Sequence, residues 1–394
     1  MKEAVIVSTA RTPIGRAFKG ALNNMKSPTM TAHAITHAVE RAGVEGGEIE
    51  DVIIGSVLNA GTASNNVARL ASFAAGLPVT AAAQTIDRQC SSGVMAIASA
   101  AKQIIVDGMQ ICVAGGQDNI SAVQVPYYEW ASKTGDPNVL ANYEHAYMPM
   151  LQTAELVANK YGVTREQMDE YALSSQQRTA AAQEAGLFDN EIVPITTTKA
   201  VYNKETKETT YEEVTLSKDE GNRPSTKIEN LQGLKAVIEG GTVTAGNASQ
   251  LSDGASACVV MDRKLAEQRN LEPLGIYRGM TVMGNEPEEM GIGPIYAIPK
   301  LLKLHGLKID DIDLWELNEA FAVQCLYCRD HLGIDPDKYN VNGGAISIGH
   351  PYGMTGARTI GHMLLEGKRR NARYVVSTMC VGGGMGAAAL FEIA

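Results

Sequence analysis

The chain has 394 residues, of which 45% are hydrophobic, and its 34 Lys+Arg against 44 Asp+Glu give a formal net charge of −10. This composition is typical of a folded protein of two or more domains, and it excludes disordered and collagen-like chains. The acidic balance disfavours a nucleic-acid partner, and no apolar run approaches the roughly 18 residues that a membrane-spanning helix requires.

The N-terminus lacks the features of a signal peptide, because the short β-like run 4–8 follows the acidic Glu3 instead of a basic segment. Six cysteines are scattered too sparsely for a disulfide scaffold and suit a reducing compartment. We therefore predict a cytoplasmic protein that binds no membrane and whose cysteines are mostly thiols.

Strand-like runs alternate with longer Ala- and Leu-rich helical stretches, which favours an α/β fold. In the first part, strands are predicted at 4–8, 52–54 and 111–114. A helix is predicted over 91–108, and Gly115-Gly116 is predicted to form a turn after the third strand.

A further strand, predicted at 255–261, completes this first part, so roughly residues 119–249 form a segment inserted between its strands. Within this inserted segment, 151–161 and 165–185 have helical patterns, and 196–218 is predicted to be an exposed hairpin or loop. We predict three units: an N-terminal half at 1–118 plus 250–270, an inserted loop or lid domain at 119–249, and a C-terminal half at 271–394.

A weak internal repeat supports two similar halves. Four positions match at a constant offset of 260, namely Ile49, Asp51, Val52 and Ile54 against Ile309, Asp311, Ile312 and Leu314. The same offset carries Cys90 onto His350. After His350 a helix is predicted at 353–367, a strand at 374–377 and a turn at 382–384, so the two residues would occupy equivalent strand-to-helix junctions. A chance match of short apolar strands is the alternative.

Three residues have surroundings suited to catalysis. Cys90 directly precedes an apolar helix, whose free N–H groups and dipole favour a thiolate. His350 lies in a glycine-rich loop that lets backbone approach a ligand, and Cys380 opens a glycine run that can direct peptide N–H groups at an anion. The alternatives are a buried apolar Cys90, a structural His350 and a strand-end Cys380.

The other cysteines are predicted to belong to the core. Cys112 and Cys258 lie within apolar strands, and Cys325 and Cys328 lie in a predicted amphipathic helix at 320–331 without a second cysteine pair. The remaining histidines have no ligand spacing, so no metal site is predicted.

Five ordered blocks in this chain resemble the thiolase family of acyl-CoA C-acyltransferases along essentially its whole length. The matching blocks are Gln89-Cys90-Ser91-Ser92-Gly93, Gly241 to Ser249, Asn318-Glu319-Ala320-Phe321-Ala322, Gly349-His350-Pro351 with Gly353, and Cys380 with its glycines. The resemblance implies duplicated α/β halves, layered α-β-α-β-α, with an inserted loop domain. It also implies a homodimer or homotetramer.

The resemblance implies a reversible Claisen condensation of acetyl-CoA with an acyl-CoA, including acetoacetyl-CoA formation, and the reverse thiolysis of 3-ketoacyl-CoA. Cys90 would be the acyl-accepting nucleophile, His350 its base, and Cys380 the acid/base at the α-carbon. Asn318, through a water, would join His350 in stabilising the enolate, and Gly382 would join the Cys90 N–H at the tetrahedral oxyanion.

Coenzyme A is implied as substrate and product, and no prosthetic group is implied. Ser249 matches the family's pantetheine contact, and Arg223 resembles a position near the CoA nucleotide, although a solvated loop charge is its alternative. Met150 and Phe321 match positions of the substrate pocket.

Several positions depart from the family pattern and leave the acyl chain length open. Pro149 and Leu151 replace the residues that usually flank Met150, Gln250 replaces a usual glycine, and Tyr352 and Met354 replace smaller or aliphatic residues. A degradative 3-ketoacyl-CoA thiolase of broader chain length is therefore the alternative to acetyl specificity.

Two further classes remain as alternatives. A thiolase-like protein that carries acyl-CoA or lipid without catalysis would lose a reactive residue, whereas Cys90, His350 and Cys380 are all present. A decarboxylating condensing enzyme would pair its cysteine with two histidines or with His and Asn, so Cys380 argues against it.

Overall fold

The structure is a computed structural model that describes residues 2–394. Within them the strands are β1 (Ala4–Arg11), β2 (Gly15–Arg16), β3 (Asp51–Gly55), β4 (Ala82–Ile86), β5 (Ile111–Asn119), β6 (Ile195–Tyr202), β7 (Thr209–Leu216), β8 (Ser252–Asp262), β9 (Gly275–Gly284), β10 (Leu314–Leu317), β11 (Tyr374–Val381) and β12 (Met385–Ile393). The helices are α1 (Ser27–Ala42), α2 (Val67–Ala74), α3 (Ser92–Lys102), α4 (Ile120–Ala131), α5 (Pro137–Asn142), α6 (Met150–Tyr161), α7 (Arg165–Glu184), α8 (Ile228–Gln232), α9 (Arg263–Gln268), α10 (Pro294–His305), α11 (Ala322–Leu332), α12 (Ala345–Ile348) and α13 (Tyr352–Arg370).

Most of the strands form two similar sets that join edge to edge. The order is β10-β11-β12-β9-β1-β8-β5-β3-β4, with β2 paired to β8. In each set a parallel pair, β3–β5 or β10–β11, continues into antiparallel strands, β8–β1 or β12–β9. The sets meet where Val5 and Ile6 of β1 pair with β9. The predicted duplication is confirmed.

The register of the predicted repeat is wrong in the strands. β10 begins 263 residues after β3, at Leu314 against Asp51, and β11 begins 263 residues after β5. The helices that follow Cys90 and His350 begin 260 residues apart, at Ser92 and Tyr352. The second half is therefore three residues shorter between its first strand and its helix. The equivalence of Cys90 and His350 holds, but the strand match at 260 does not.

Three buried cores define the layers. One core lies between α1, α2 and the outer face of the first strand set. A central core contains residues of α3 and α13 together with strands of both sets. The third packs α6, α7, α10 and α11 against the second set. Helix and sheet layers therefore alternate α-β-α-β-α, as predicted, because each sheet has two apolar faces to cover.

Gly115 and Gly116 do not form the predicted turn, since both lie inside β5. A Cβ atom on Gly115 would collide with the backbone oxygen of Ser256, and one on Gly116 with that of Gly353. These glycines allow strand and helix backbones to approach closely. The other predicted glycine turn, at 382–384, is present.

Between β5 and β8 the chain forms α4 to α8 and the antiparallel hairpin β6–β7, which agrees with the hairpin predicted at 196–218. Buried ion pairs fix this interval to the first half, because Arg11 binds both Glu191 and Asp219. The division into units at 1–118 plus 250–270, 119–249 and 271–394 stays a proposal. Across residues 2–394, no helix combines the length and apolar character needed to cross a membrane.

Candidate active site

Cys90 lies in a tight turn between β4 and α3. The preceding residue, Gln89, has a φ of +46°, a conformation that costs a non-glycine residue roughly 1–2 kcal/mol. Side chains on both sides hold the turn: Asp87 accepts the Gln89 N–H at 2.7 Å, and the Ser92 hydroxyl donates to the Gln89 carbonyl at 2.6 Å. The Ser91 hydroxyl also donates to Arg88 O. This short-range network fixes the direction of the Cys90 side chain.

The folded surroundings of Cys90 oppose its ionisation. Burial raises the pKa of its thiol to about 11, although the backbone N–H groups of Gly382 and of Cys90 itself act in the opposite direction. The carboxylates of Asp118 and Asp87 raise the pKa further. Desolvation therefore outweighs the helix N-terminus, and Cys90 rests as a thiol.

His350 is buried at the matching junction before α13. The glycine before it, Gly349, has a φ of +105°, and a side chain there would collide with Ser252. The His350 N–H donates to the Gln250 carbonyl at 3.0 Å. The backbone that enters the His350 loop thus packs against Gln250 and the first residue of β8, Ser252.

Two hydrogen bonds determine the tautomer of His350. The Thr355 hydroxyl donates to the Pro351 carbonyl at 2.9 Å, so its oxygen is the acceptor for His350 Nδ1–H at 2.6 Å. Nε2 then carries the lone pair, and Asn318 Nδ2 donates to it at 3.2 Å. Burial and the nearby Arg358 charge lower the pKa of His350 to about 3. The imidazole is therefore neutral, with an unprotonated Nε2.

Cys380 is buried at the end of β11, where its thiol donates to Gln324 Oε1 at 3.6 Å. Burial raises its pKa, and proximity to Cys90 raises it further. The two sulfurs therefore lie near one another. The Gln324 amide also donates to the Asn318 carbonyl at 3.3 Å, so one side chain of α11 connects Cys380 to Asn318.

These contacts join the five residues predicted to act in catalysis into one contiguous set. Cys90 lies near Cys380 and accepts the Gly382 N–H, Cys380 connects through Gln324 to Asn318, and Asn318 binds His350. The Asn318 Oδ1 is buried and makes no hydrogen bond within residues 2–394. It is an acceptor that a bound water or substrate group would satisfy.

Ser249 and Phe321 adjoin this set. The Ser249 N–H donates to the Ala320 carbonyl at 2.9 Å, and Ala248 pairs with Phe321. The unusual Gln250 is structural, because its amide donates to the carbonyls of Gly221, Ile346 and Ser347. The Ser249 segment therefore lies between the Asn318 block and the His350 loop.

Arg223 lines a surface cavity of about 370 Å³. The cavity is bounded by residues on α7, α8, the segment before β8 and the loop before His350, including Gln176, Leu231, Gly246, Gln250 and Ile346. Met150 begins α6 with a side chain that is 38% exposed, and it belongs to none of the buried clusters. The binding roles of Arg223, Ser249, Met150 and Phe321 stay predictions.

Sequence reasoning missed three residues that hold the site together. Thr355 fixes His350, Gln324 binds Cys380, and buried Asp118 accepts the N–H groups of Val57, Leu58 and Gly353. A polar residue on the buried face of a helix was the available signal for Gln324 and Thr355. Within residues 2–394, no group of three or more His, Cys, Asp or Glu side chains is arranged to hold a metal.

Two family models together match almost the whole chain. The model described as "Thiolase, N-terminal domain" matches residues 4–264, and "Thiolase, C-terminal domain" matches residues 271–393. Among curated proteins, the 3-ketoacyl-CoA thiolase of Bacillus subtilis (strain 168) is 46% identical, with 100% of each chain covered. The peroxisomal 3-ketoacyl-CoA thiolase 2 of Arabidopsis thaliana is 42% identical over 99% of this chain and 84% of its own.

Solved structures are similar over the full length. The Bacillus anthracis acetyl-CoA acetyltransferase superposes with a TM-score of 0.88 at 39% identity, covering 100% of this chain and 99% of that chain. Human mitochondrial 3-ketoacyl-CoA thiolase in complex with CoA also gives 0.88, at 35% identity, covering 100% and 98%.

Proposed function

The chain belongs to the thiolase family, and we propose that it cleaves 3-ketoacyl-CoA with CoA and catalyses the reverse condensation through an acyl-Cys90 intermediate. The observation that carries this proposal is the contiguous set of two thiols and one neutral imidazole, with the Gly382 N–H directed at the Cys90 sulfur. A single nucleophile would suffice for thioester hydrolysis, whereas carbon–carbon bond chemistry requires a second acid/base at the α-carbon.

In thiolysis, the Cys90 sulfur attacks the 3-keto carbon while its proton passes to His350 Nε2. A raised thiol pKa and a neutral imidazole place the proton on sulfur at rest, so its transfer accompanies the attack. The N–H groups of Cys90 and Gly382 are positioned to stabilise the tetrahedral oxyanion. The bond between the α-carbon and the 3-keto carbon then breaks, leaving an acyl thioester on Cys90.

The departing group is the enolate of acetyl-CoA, which needs a proton at carbon and donors at oxygen. The Cys380 thiol supplies the carbon proton, and Gln324 holds that thiol in place. Once His350 carries a proton, Nε2–H and the group held by Asn318 both face the enolate oxygen. CoA thiol then attacks acyl-Cys90 and gives its proton to the Cys380 thiolate, while His350 returns its proton to the departing Cys90 sulfur, so that the shortened acyl-CoA is released and the resting site is restored. Condensation is the same sequence reversed.

The cavity beside Arg223 is the proposed entrance for CoA. Its lining combines Arg223 with amides and apolar side chains, which suits a pantetheine arm that ends in phosphates. It also contains Gly246 and Gln250, and Ser249 lies on the same segment, which continues to the His350 N–H. A chain entering here would approach the catalytic set along that segment.

The proposed substrates include acetoacetyl-CoA and longer 3-ketoacyl-CoAs. The curated relatives described above are named 3-ketoacyl-CoA thiolases, whereas one solved relative is named an acetyl-CoA acetyltransferase. The departures at Pro149 and Leu151 favour the broader range. Homodimer or homotetramer formation stays a prediction. The cytoplasmic location also stays a prediction, since the relatives include bacterial and peroxisomal proteins.

Mass spectrometry combined with isotope exchange tests this proposal. Acetyl-CoA should add one acetyl group at Cys90, and Cys380→Ser should retain that addition while losing α-proton exchange by roughly 10²- to 10⁴-fold. Cys112→Ala, at a buried thiol of the core, is the matched control and should change neither reaction. An unmodified Cys90, or equal loss of both reactions in Cys380→Ser, would contradict the proposed roles.

A further inference from the structure

Tyr352 lies close to Cys90, because the first turns of α3 and α13 contact each other. A Cβ atom on Gly93, three residues after Cys90, would collide with the backbone oxygen of Gly353, the residue after Tyr352. Burial raises the pKa values of both Tyr352 and Tyr128, and proximity to Cys90 and Asp118 contributes to each. An acyl group attached to the Cys90 sulfur is therefore held near these tyrosines.

The two rings differ in how firmly they are held. Tyr352 is the first residue of α13, and its ring packs edge-on against His350 with 5.2 Å between the centroids. Its hydroxyl donates to Gln124 Oε1 at 3.1 Å, which joins α13 to α4 across the site. Tyr128 is 50% exposed and lies in the last third of α4. Tyr352 is therefore the ring held by packing and a hydrogen bond, whereas Tyr128 is half exposed.

Apolar groups also contact the Tyr352 ring. Tyr352 and Tyr127 both pack against the same small cluster, whose buried members include Val57, Leu58 and Val123. An apolar cavity of about 230 Å³ adjoins this cluster and is lined by Ala60, Gly61, Ala122, Val123, Pro126, Tyr127 and Trp130. The ring of Tyr352 thus stands between the nucleophile and apolar surface that an alkyl chain would favour.

We propose that Tyr352, held by Gln124, sets the acyl chain length at which the activity of this protein falls. The inference rests on the proposed function, because it concerns the acyl group carried by Cys90. A fixed ring excludes chains that reach beyond it, since a packed interior has little spare volume. A smaller side chain would instead expose the apolar cluster, where each added methylene of the substrate is bound favourably.

Thiolysis rates across straight-chain 3-ketoacyl-CoAs of increasing length test the proposal. In the unmodified protein, kcat/KM should fall beyond a certain length. In Tyr352→Leu, the ratio of kcat/KM for a substrate beyond that length to kcat/KM for acetoacetyl-CoA should rise by at least about tenfold. Tyr352→Phe keeps the ring, so we expect this ratio to change by less than about threefold.

Matched controls separate a specificity change from damage to the fold. Tyr202→Leu removes an exposed tyrosine of the hairpin β6–β7 and should leave the ratio unchanged. Acetyl addition to Cys90 should persist in Tyr352→Leu, which verifies that the variant is folded. Gln124→Leu should raise the ratio in the same direction by a smaller factor, because it releases the ring without removing it.

The outcomes distinguish this inference from the function on which it rests. A protein that cleaves 3-ketoacyl-CoA but whose length ratio is the same in Tyr352→Leu would overturn the inference alone. So would an unmodified protein that cleaves every length equally well. A protein that forms no acyl-Cys90 and cleaves no 3-ketoacyl-CoA would overturn the proposed function together with it.

Discussion

Cys90 and His350 occupy equivalent positions in the two halves, each two residues before a helix, but their neighbours differ. Cys90 is partly exposed, and backbone N–H groups, including that of Gly382, face its sulfur. His350 is buried, and side chains bind both of its ring nitrogens. Burial raises the pKa of the first to about 11 and lowers that of the second to about 3. The two positions match, and their different neighbours keep the resting proton on the Cys90 sulfur and leave the His350 imidazole neutral.

The largest expected effect on activity comes from removing His350, the proposed proton acceptor for Cys90. His350→Ala removes the proton acceptor, so thiolysis at neutral pH should fall by on the order of 10³-fold. Because the Cys90 thiol then ionises unaided, the residual rate should increase about tenfold per pH unit below the thiol pKa of about 11. Steady-state rates from pH 7 to pH 9 measure both effects.

A distant histidine provides the control for this experiment. His305 lies at the end of α10, and His305→Ala should leave rate and pH dependence unchanged. If His350→Ala kept a rate near that of the unmodified protein, or lost activity without gaining pH dependence, the assignment of His350 as the base for Cys90 would be wrong.

An effect of intermediate size on activity is expected at Thr355, a positioning residue that binds the His350 ring. No counterpart of Thr355 is described near Cys90. Thr355→Val removes the acceptor for His350 Nδ1–H and frees the imidazole to adopt the other tautomer. We expect kcat to fall on the order of 100-fold with little change in KM, because the base is misplaced while the substrate cavity is intact.

Rescue distinguishes this role from a packing role. Thr355→Ser restores the hydroxyl but not the methyl group, so it should recover most of kcat. A Ser variant as slow as Val would show that the methyl group matters and that the hydrogen bond to His350 does not.

Much of the fold could be predicted from sequence because strand and helix periodicity is a local property. The exceptions have long-range causes. Gly115 and Gly116 suggest a turn, but they serve close contacts with Ser256 and Gly353, far away in the chain. The repeat was placed three residues out of register because apolar strands of four or five residues match one another at several offsets.

In the candidate site, too, local features could be predicted from sequence and long-range contacts could not. Cys90 and His350 were identified from their own local sequence and from the repeat, whereas Thr355, Gln324 and Asp118 gain their roles only through contacts made in three dimensions. The ionisation of Cys90 has a related cause. A helix N-terminus is visible in sequence, but the desolvation that outweighs it depends on the folded surroundings.

The smallest expected effect concerns Asp118, whose buried carboxylate joins the loop after β3 to the first turn of α13 by accepting the N–H groups of Val57, Leu58 and Gly353. Burial raises its pKa from 3.8 to about 7, so the folded state holds this proton more tightly than the unfolded state. The free energy of unfolding should therefore decrease as pH rises from about 4 to about 7 and then level off. Between pH 6 and pH 8, the stability of the unmodified protein relative to the non-titrating Asp118→Asn should decrease by about 1 kcal/mol. Urea unfolding at a fixed protein concentration measures this difference. If the stability difference between the unmodified protein and Asp118→Asn did not vary with pH, Asp118 would stay ionised throughout this range. It would then join the loop after β3 to α13 only as a charged acceptor.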